Sequence, residues 1–215
     1  MTKEQVRERI LEVKIVPVVR ASSAQEAMGA AEAVCAGGIP IVEVTMTVPG
    51  AVEVIAAFSR SMGTQVLIGA GTVLDAETAE RCLDAGAQFL VSPGFDAGTV
   101  ALAGRRNVLV MPGALTPTEV VTAWKAGADF VKIFPCGNVG GPAYIKALKA
   151  ALPRIPMVPT GGVNLETAAA FLRAGASALG IGGELVSRAA LEKGDFAAIT
   201  DAARQYVAVV TAVAA

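Results

Sequence analysis

The most informative absence in this chain of 215 residues is histidine, which does not occur at all. Without it there is no imidazole general base and no histidine-ligated metal site, so catalysis would have to use lysine, carboxylates, arginine, hydroxyls or backbone groups. The three cysteines lie far apart and show no CxxC spacing. This pattern argues against a disulfide framework and favours reduced, buried thiols.

Charge and long apolar runs are also scarce. Charged residues make up 17% of the chain and the net charge is −1, which provides no basic surface for nucleic acid or an anionic membrane. The longest stretch without Asp, Glu, Lys or Arg covers only residues 61–74, too short to span a bilayer. The start, MTKEQVRERI, lacks the apolar core of a signal peptide, so we expect a cytoplasmic protein.

Short apolar runs alternate with longer amphipathic segments along the chain. The eight predicted strands are 15–20, 41–46, 65–70, 88–92, 108–111, 129–134, 157–160 and 178–181. The predicted helices are 24–36, 51–60, 76–85, 117–126, 142–152 and 165–174. Each of four glycines, Gly37, Gly86, Gly127 and Gly175, follows an alanine just before a strand, where a left-handed glycine commonly ends a helix.

This alternation predicts the fold class. Eight strands with intervening helices, and no shift of composition that would mark a linker, indicate one α/β domain over residues 1–215, a parallel (β/α)8 TIM barrel. An open doubly wound sheet is disfavoured because no GxGxxG motif follows the first strand. The glycine-rich GAGTVL at 69–74 lacks the third glycine of that motif.

A lysine stands in the middle of an apolar run that is predicted to be a buried strand, in GADFVKIFPCG. In a barrel, the active site lies where the carboxyl ends of the strands meet, and alternation places Lys132 and Phe134 on one face. The same reasoning places Glu43 and Thr45 on the inner face of the second strand. Lys132 and Glu43 are therefore predicted to face each other inside the barrel.

Two interpretations of this pair remain open from the residues alone. Lys132 and Glu43 could form an ion pair at the barrel rim. Alternatively, Lys132 is a nucleophilic amine that forms a Schiff base with a ketone, and Glu43 is the general base and acid. Hydroxyls at three other strand ends, from Thr45, Thr72 and Thr160, favour a polar ligand over a packed core.

Two glycine pairs in the last quarter of the chain predict an anion site. Gly161 and Gly162 follow the seventh strand, and Gly182 and Gly183 follow the eighth. Loops at these two places commonly bind phosphate in barrels through backbone N–H groups.

Two rival functions fit the same residues. A phosphosugar isomerase or epimerase would use Glu43 as base and Lys132 only as an electrostatic stabiliser. A non-catalytic binding or assembly protein on the same scaffold, such as an engineered trimer or cage component, would require an exposed apolar patch.

Seven motifs in chain order resemble those of the bacterial 2-keto-3-deoxy-6-phosphogluconate (KDPG) aldolases. They are VEVTMTVPGA, IGAGTVL, AQFLVSPG, VLVMPGALTPTE, ADFVKIFPC, VPTGGVN and GIGGELV. The group also includes 4-hydroxy-2-oxoglutarate and 2-keto-3-deoxy-6-phosphogalactonate aldolases. The resemblance implies a homotrimeric, metal-free class I lyase without a cofactor, which splits a phosphorylated keto-deoxy sugar acid into pyruvate and glyceraldehyde 3-phosphate.

The resemblance also assigns roles to individual positions. It implies that Lys132 is the Schiff-base lysine and Glu43 the residue that shuttles protons. The implied substrate-binding residues are Arg20, Thr45, Thr47, Thr72, Pro93, Phe134 and Thr160. The implied phosphate-binding residues are Gly161, Gly162, Gly182 and Gly183.

Two positions depart from the family pattern. Some members have an arginine for the substrate carboxylate where this chain has Thr47, and here Arg20 is the residue that could supply that guanidinium. Glu184 stands beside the second glycine pair, where other members carry an uncharged residue. A carboxylate there would repel a phosphate, so the residues leave open whether the substrate is phosphorylated.

Overall fold

The computed structural model describes residues 1–63 and 65–214, without the side chain of residue 214. In that part of the chain, short β-strands alternate with α-helices. The strands are β1 (Ile15–Val19), β2 (Ile41–Thr45), β3 (Leu67–Gly71), β4 (Phe89–Val91), β5 (Leu109–Met111), β6 (Gly113–Ala114), β7 (Val131–Ile133), β8 (Met157–Pro159) and β9 (Leu179–Ile181). The helices are α1 (Lys3–Val13), α2 (Ala24–Ala36), α3 (Ala51–Met62), α4 (Ala76–Asp84), α5 (Ala97–Arg106), α6 (Pro117–Lys125), α7 (Pro142–Ala151), α8 (Ala168–Arg173), α9 (Arg188–Lys193) and α10 (Phe196–Ala214).

Local signals set the starts of several helices. Helix α6 begins after a capping box, in which the Thr116 hydroxyl accepts a hydrogen bond from the Glu119 N–H and the Glu119 carboxylate accepts one from the Thr116 N–H. Pro117 occupies the first turn, where its missing N–H costs no hydrogen bond. Helices α2, α4 and α5 begin after a serine or aspartate whose side chain accepts a hydrogen bond from an N–H group of the first turn.

The predicted left-handed glycines are confirmed at three of the four positions. Gly86, Gly127 and Gly175 have φ values of 105°, 104° and 101°. The prediction for Gly37 is wrong, because that residue has a right-handed φ of −80° and the next residue, Gly38, takes the left-handed conformation. Packing explains the glycine at 37: a Cβ there would overlap the Ala203 side chain on α10.

All recorded strand pairings are parallel, which confirms the α/β class with a parallel sheet. Six strands form one curled sheet in the order β5–β4–β3–β2–β1–β9, and β6–β7–β8 form a second sheet of three strands. This pairing differs from the predicted barrel of eight regularly paired strands at two places, which we call seams, where neighbouring strands do not form a continuous ladder. Pro112 separates β5 from β6, and between β8 and β9 there is a single isolated bridge, from Thr160 to Gly180.

Proline chemistry accounts for the second seam. The Thr160 N–H donates to the Ile133 carbonyl on β7, at 2.9 Å. Because successive N–H groups of a strand point to opposite sides, the nitrogen of Pro159 faces β9, and proline has no hydrogen to donate there. One rung of a β8–β9 ladder is therefore missing.

The core lies between the strands and the surrounding helices. Every residue of the nine strands is buried. The helix α10 packs against α2, α8 and α9, with the Tyr206 side chain fully enclosed. No helix in the described ranges is both long and apolar enough to cross a membrane.

Candidate active site

Lys132 is the central residue of β7 and is almost completely buried. It pairs with Gly113 on β6 and with Val158 on β8, and only 4% of its surface is exposed. Its Nζ lies 5.4 Å from the centroid of the Phe134 ring, within the range of a cation–π contact. A lysine held this way by two neighbouring strands has little freedom to reach bulk water.

Glu43 approaches Lys132 from the other sheet. It lies at the centre of β2, paired with Val18 on β1 and Gly69 on β3, and is 2% exposed. The distance from Glu43 Oε1 to Lys132 Nζ is 3.9 Å, close enough for attraction between charges but too long for a hydrogen bond. Within the described residues, this Oε1 is a buried oxygen with no hydrogen-bond partner.

Burial dominates the ionisation of Glu43. Removal from water raises the pKa of this carboxyl, and the opposing positive charges of Lys132 and then Arg20 lower it only in part. A carboxyl with a raised pKa holds a proton more readily than an ordinary carboxyl, which suits a group that must both take up and give a proton.

Two glycines inside strands make room for these side chains. A Cβ at Gly71 would fall on the Glu43 carboxylate, and a Cβ at Gly180 would fall on the Thr160 hydroxyl. Neither glycine was predicted from the sequence to make room for a side chain of the site. The available signal was that both lie within strands, where a glycine often marks a close approach by another group.

We expect Gly71→Ala to lower kcat by about 10²-fold, because the new methyl group pushes Glu43 Oε1 away from Lys132 and misplacing a catalytic group by about 1 Å costs this much. The backbone at Gly71 has no left-handed φ that would itself disfavour alanine. The measurement is kcat for release of pyruvate from KDPG, the substrate that the family resemblance implies, together with reductive trapping of pyruvate on the chain, which should persist because the change leaves the Lys132 side chain in place.

The matched control is Gly104→Ala on α5, where an added Cβ meets nothing within 4 Å. It should keep the native kcat. Native kcat in Gly71→Ala as well would show that the glycine does not set the position of Glu43.

A cavity of about 200 Å³ opens at the ends of β1, β8 and β9, and we call it the glycine-lined cavity. Its lining includes Arg20, Phe134, Thr160 and Glu184, together with Gly161, Gly162, Gly182 and Gly183. The structure thus brings all four predicted phosphate-binding glycines to one opening. Thr160, at 4% exposed, lies at its floor.

The backbone of this cavity suits an anion. Gly161 and Gly162 both have positive φ, at 83° and 78°. A Cβ on Gly162 would come within 2.6 Å of the Gly137 Cα, so the two loops pack closer than any side chain allows. Within the described chain, the N–H groups of Gly162, Val163, Gly183 and Glu184 donate no hydrogen bond, which leaves them free for a ligand.

A second cavity, of about 300 Å³, also has Phe134 in its lining, and we call it the Pro93 cavity. Pro93, Gly113 and Glu119 line it with Phe134. The Glu119 carboxylate is already occupied by the Leu115 and Thr116 N–H groups. Phe134 therefore borders both openings next to Lys132.

The other predicted substrate-binding threonines are Thr45, Thr47 and Thr72, and the hydroxyl protons of the first two are not available to a ligand. The Thr45 hydroxyl is buried and donates to the Val19 carbonyl, at 3.1 Å, and lies 2.6 Å from the Thr47 hydroxyl. Because Thr45 uses its proton on Val19, Thr47 donates to Thr45, and neither proton is free for a carboxylate in this arrangement. Thr72 is half-buried with φ of 57°, a conformation unusual for a β-branched residue and often associated with functional sites.

Comparisons with known proteins agree with this site. A family model described as the KDPG and KHG aldolases matches residues 6–202. A 2-dehydro-3-deoxy-phosphogluconate aldolase of Treponema pallidum is 37% identical over 94% of this chain and 96% of its own length. A 2-dehydro-3-deoxy-6-phosphogalactonate aldolase of Escherichia coli is 37% identical over 80% of this chain and 83% of its own length.

A solved structure of KDPG aldolase from Legionella pneumophila, with pyruvate captured as a covalent carbinolamine intermediate, superposes with a TM-score of 0.86 at 27% identity. That match covers 93% of this chain and 97% of the other. Together with the family model and the two relatives, this match shows that the chain belongs to the KDPG and KHG aldolase family.

Proposed function

We propose that this protein is a class I aldolase that cleaves KDPG reversibly to pyruvate and glyceraldehyde 3-phosphate, with Lys132 as the Schiff-base residue. One observation carries the proposal: a buried lysine amine lies 3.9 Å from a buried carboxylate oxygen that has no hydrogen-bond partner among the described residues. An ion pair built only for stability would be expected to have its remaining hydrogen-bonding capacity satisfied.

The first half of the reaction forms the electron sink. The amine of Lys132 attacks the C2 ketone, the nitrogen–C2 bond forms, and the ketone oxygen leaves as water with one proton from the amine and one from the protonated Glu43 carboxyl, so that the nitrogen keeps a proton and Glu43 becomes a carboxylate. The resulting protonated imine withdraws electrons from the neighbouring carbon–carbon bond. Phe134, half-buried beside Nζ, helps to keep bulk water from the imine.

The second half breaks the bond and restores the enzyme. Glu43 takes the proton of the C4 hydroxyl, the C3–C4 bond breaks, and its electron pair moves into an enamine on Lys132 while the aldehyde leaves. Glu43 then gives a proton to C3, and water hydrolyses the imine to pyruvate and free amine. The raised pKa of Glu43 suits both directions of proton transfer.

The free N–H groups of the glycine-lined cavity support a phosphorylated substrate. The loops that carry Gly161, Gly162, Gly182 and Gly183 offer an anion a cradle of the kind found at barrel phosphate sites. Arg20 adds a positive charge to the same cavity. Both relatives described above are named for phosphorylated substrates, and the family also includes aldolases named for KHG.

The test is pyruvate release from four substrates at equal concentrations: KDPG, its galactonate epimer, unphosphorylated 2-keto-3-deoxygluconate and 4-hydroxy-2-oxoglutarate. We expect kcat/KM for KDPG to exceed that for the unphosphorylated analogue by roughly 100-fold, since charge-assisted hydrogen bonds to phosphate are lost. Equal values for these two would contradict the phosphate assignment. A higher value for the galactonate epimer would move the proposal to that substrate.

We further propose that the two sheets close into one eight-stranded barrel, with β5 and β6 as a single interrupted strand. The Asp129 N–H donates to the Val110 carbonyl at 3.0 Å, which links β7 to β5. The Ser177 N–H donates to the Met157 carbonyl at 2.8 Å, which adds to the Thr160–Gly180 bridge. These contacts support closure at both seams.

The family resemblance also leads us to propose a homotrimer. The Trp124 side chain, 39% exposed, borders an apolar groove between α6 and the residues that follow α7, and this surface suits contact between subunits. Light scattering should give about 65 kDa, three times the chain mass of 21.7 kDa. A mass near 22 kDa would contradict the trimer.

A further inference from the structure

We propose that Thr167 is a positioning residue of the glycine-lined cavity. Its hydroxyl holds the peptide group between Gly162 and Val163 in the orientation that presents the Val163 N–H to the phosphate of the substrate. The proposal rests on the proposed cleavage of a phosphorylated substrate and adds a residue that acts through the loop. Among the described residues, the lining of the cavity includes Val163 but not Thr167.

The two free N–H groups that follow the seventh predicted strand belong to peptide groups whose carbonyls are both held by hydrogen bonds. The Gly162 N–H shares its peptide with the Gly161 carbonyl, which accepts from the Gly137 N–H at 2.8 Å. The Val163 N–H shares its peptide with the Gly162 carbonyl, which accepts from the Thr167 hydroxyl at 3.0 Å. Because the N–H and C=O of a trans peptide point in opposite directions, each of these bonds turns an N–H away from the bonded side of the loop.

The Thr167 hydroxyl has one proton, and the Gly162 carbonyl is the acceptor that remains for it. Two oxygens of Asn164 are also near, the side-chain Oδ1 at 3.1 Å and the carbonyl at 3.4 Å. Oδ1 already accepts the N–H groups of Glu166 and Thr167, and the carbonyl already accepts those of Thr167 and Ala168. The Gly162 carbonyl accepts from no other group in the part of the chain that the structure describes.

The position of the hydroxyl is itself fixed by the fold. Thr167 directly precedes α8, whose Ala168 and Phe171 side chains are buried in the core. Its oxygen accepts a hydrogen bond from the Asn164 N–H at 3.0 Å, which holds it toward the glycine loop. A β-branched side chain also has few χ1 rotamers, so the hydroxyl has little freedom to turn elsewhere.

A loop of two glycines needs such a bond from outside. Gly161 and Gly162 both have positive φ, and glycine adopts positive and negative φ with similar ease. The two residues therefore do not by themselves decide which way the Gly162–Val163 peptide faces. If that peptide turned over, its carbonyl oxygen would face the cavity and repel a phosphate, whereas consecutive N–H groups facing one side form an anion-binding nest.

The experiment is aldol addition of pyruvate to glyceraldehyde 3-phosphate and to unphosphorylated glyceraldehyde, catalysed by the native chain, Thr167→Val and Thr167→Ser. Valine keeps the shape of threonine without the hydroxyl, and serine restores the hydroxyl. We expect Thr167→Val to lower kcat/KM for the phosphorylated aldehyde by roughly 10-fold, the worth of one hydrogen bond to a charged group. The value for glyceraldehyde should stay within about 3-fold, and Thr167→Ser should recover most of the loss.

A binding measurement that does not depend on turnover accompanies the kinetics. Calorimetric titration with glycerol 3-phosphate, an unreactive phosphate monoester, should give a Kd about 10-fold higher for Thr167→Val than for the native chain. The pyruvate concentration for half-maximal borohydride trapping should be the same in both. If Thr167→Val folds poorly by its thermal midpoint, Thr167→Ala also lacks the hydroxyl and carries the same expectations.

The matched control is Thr211→Val on α10. The Thr211 hydroxyl is exposed, donates to the Val207 carbonyl at 2.9 Å and lines neither cavity of the site. This variant also replaces a threonine hydroxyl that is bonded to a backbone carbonyl, and it should match the native chain in both aldehyde reactions and in glycerol 3-phosphate binding.

Three results would overturn the proposal. Equal losses with both aldehydes, or unchanged values together with a lowered thermal midpoint, would show that the Thr167 hydroxyl only stabilises the turn before α8. A Thr167→Ser variant as impaired as Thr167→Val would exclude the hydroxyl as the cause. Failure of the proposed cleavage is distinguishable, because the native chain would then form no pyruvate adduct while glycerol 3-phosphate binding still reports on Thr167.

Discussion

Replacing Lys132 with methionine should lower kcat for KDPG cleavage by about 10⁴-fold or more, the scale of loss seen when a covalent enzyme loses its nucleophile. Methionine cannot form an imine, so the reaction loses its electron sink and not merely a binding contact. The measurement is pyruvate release from KDPG in purified native and variant chains, with enzyme concentration raised until the residual rate is defined.

The variant should still fold, because methionine is unbranched and fills the same narrow space beside Phe134. Circular dichroism and the thermal midpoint check this point. The matched control is Lys146→Met, on the exposed face of α7, which should retain native kcat. A Lys132→Met chain with more than about one tenth of native activity would be incompatible with a Schiff-base mechanism through this residue.

Replacing Glu43 with glutamine should lower turnover by about 10²- to 10⁴-fold, the usual contribution of a positioned general acid and base. Because the amine of Lys132 remains, the variant should still form a reducible pyruvate adduct. Proton exchange separates the two roles: in D₂O the native chain should exchange the methyl protons of pyruvate through the enamine, and Glu43→Gln should do so far more slowly by NMR. Native exchange rates in the variant would exclude Glu43 as the proton carrier.

Glu43 also makes a prediction about stability and pH. Burial raises its pKa in the folded chain above the ordinary value of 4.5, so the folded state holds this proton more tightly than the unfolded state. The contribution of Glu43 to the free energy of unfolding is therefore fully present below pH 4.5 and is lost as pH rises through the raised pKa. The thermal midpoint of Glu43→Gln, measured by calorimetry at several pH values, should therefore rise relative to the native midpoint as pH increases through this range. A difference between the two midpoints that does not change with pH would contradict the raised pKa.

The pairing of Lys132 with Glu43 was predictable because its signal is local and periodic. Lys132 in an apolar strand and Glu43 at an alternate position of another strand can face each other only if both side chains point into the space enclosed by the sheet. The structure places them 3.9 Å apart. The absence of histidine sharpened the prediction further, since it left few other residues for acid–base work.

Other features depend on contacts that the sequence pattern does not contain. Gly37 ends α2 as predicted, but its φ is right-handed, and packing against Ala203, distant in sequence, explains why this position is glycine. Helix α8 begins at Ala168, three residues later than predicted, and is preceded by a turn in which the Asn164 side chain accepts from the Glu166 and Thr167 N–H groups. Hydrophobic periodicity does not distinguish such a capped turn from the first turn of the helix.

The seams between the sheets and the position of the Arg20 guanidinium also depend on contacts that the sequence pattern does not contain. Periodicity predicts which residues form strands, but not that Pro159 turns its nitrogen toward β9 and removes a rung of the ladder. Similarly, the sequence identifies Arg20 as a strand-end cation, and only the fold brings its guanidinium beside Gly182.

The most direct test of the mechanism is reductive trapping in the native chain. Incubation with pyruvate followed by borohydride, then peptide mass spectrometry, should show one added reduced pyruvate per chain, on Lys132. The adduct should be absent from Lys132→Met and present in Lys146→Met. A native chain that turns over KDPG without any lysine adduct, or with the adduct on a different lysine, would contradict the assignment of Lys132 as the Schiff-base residue.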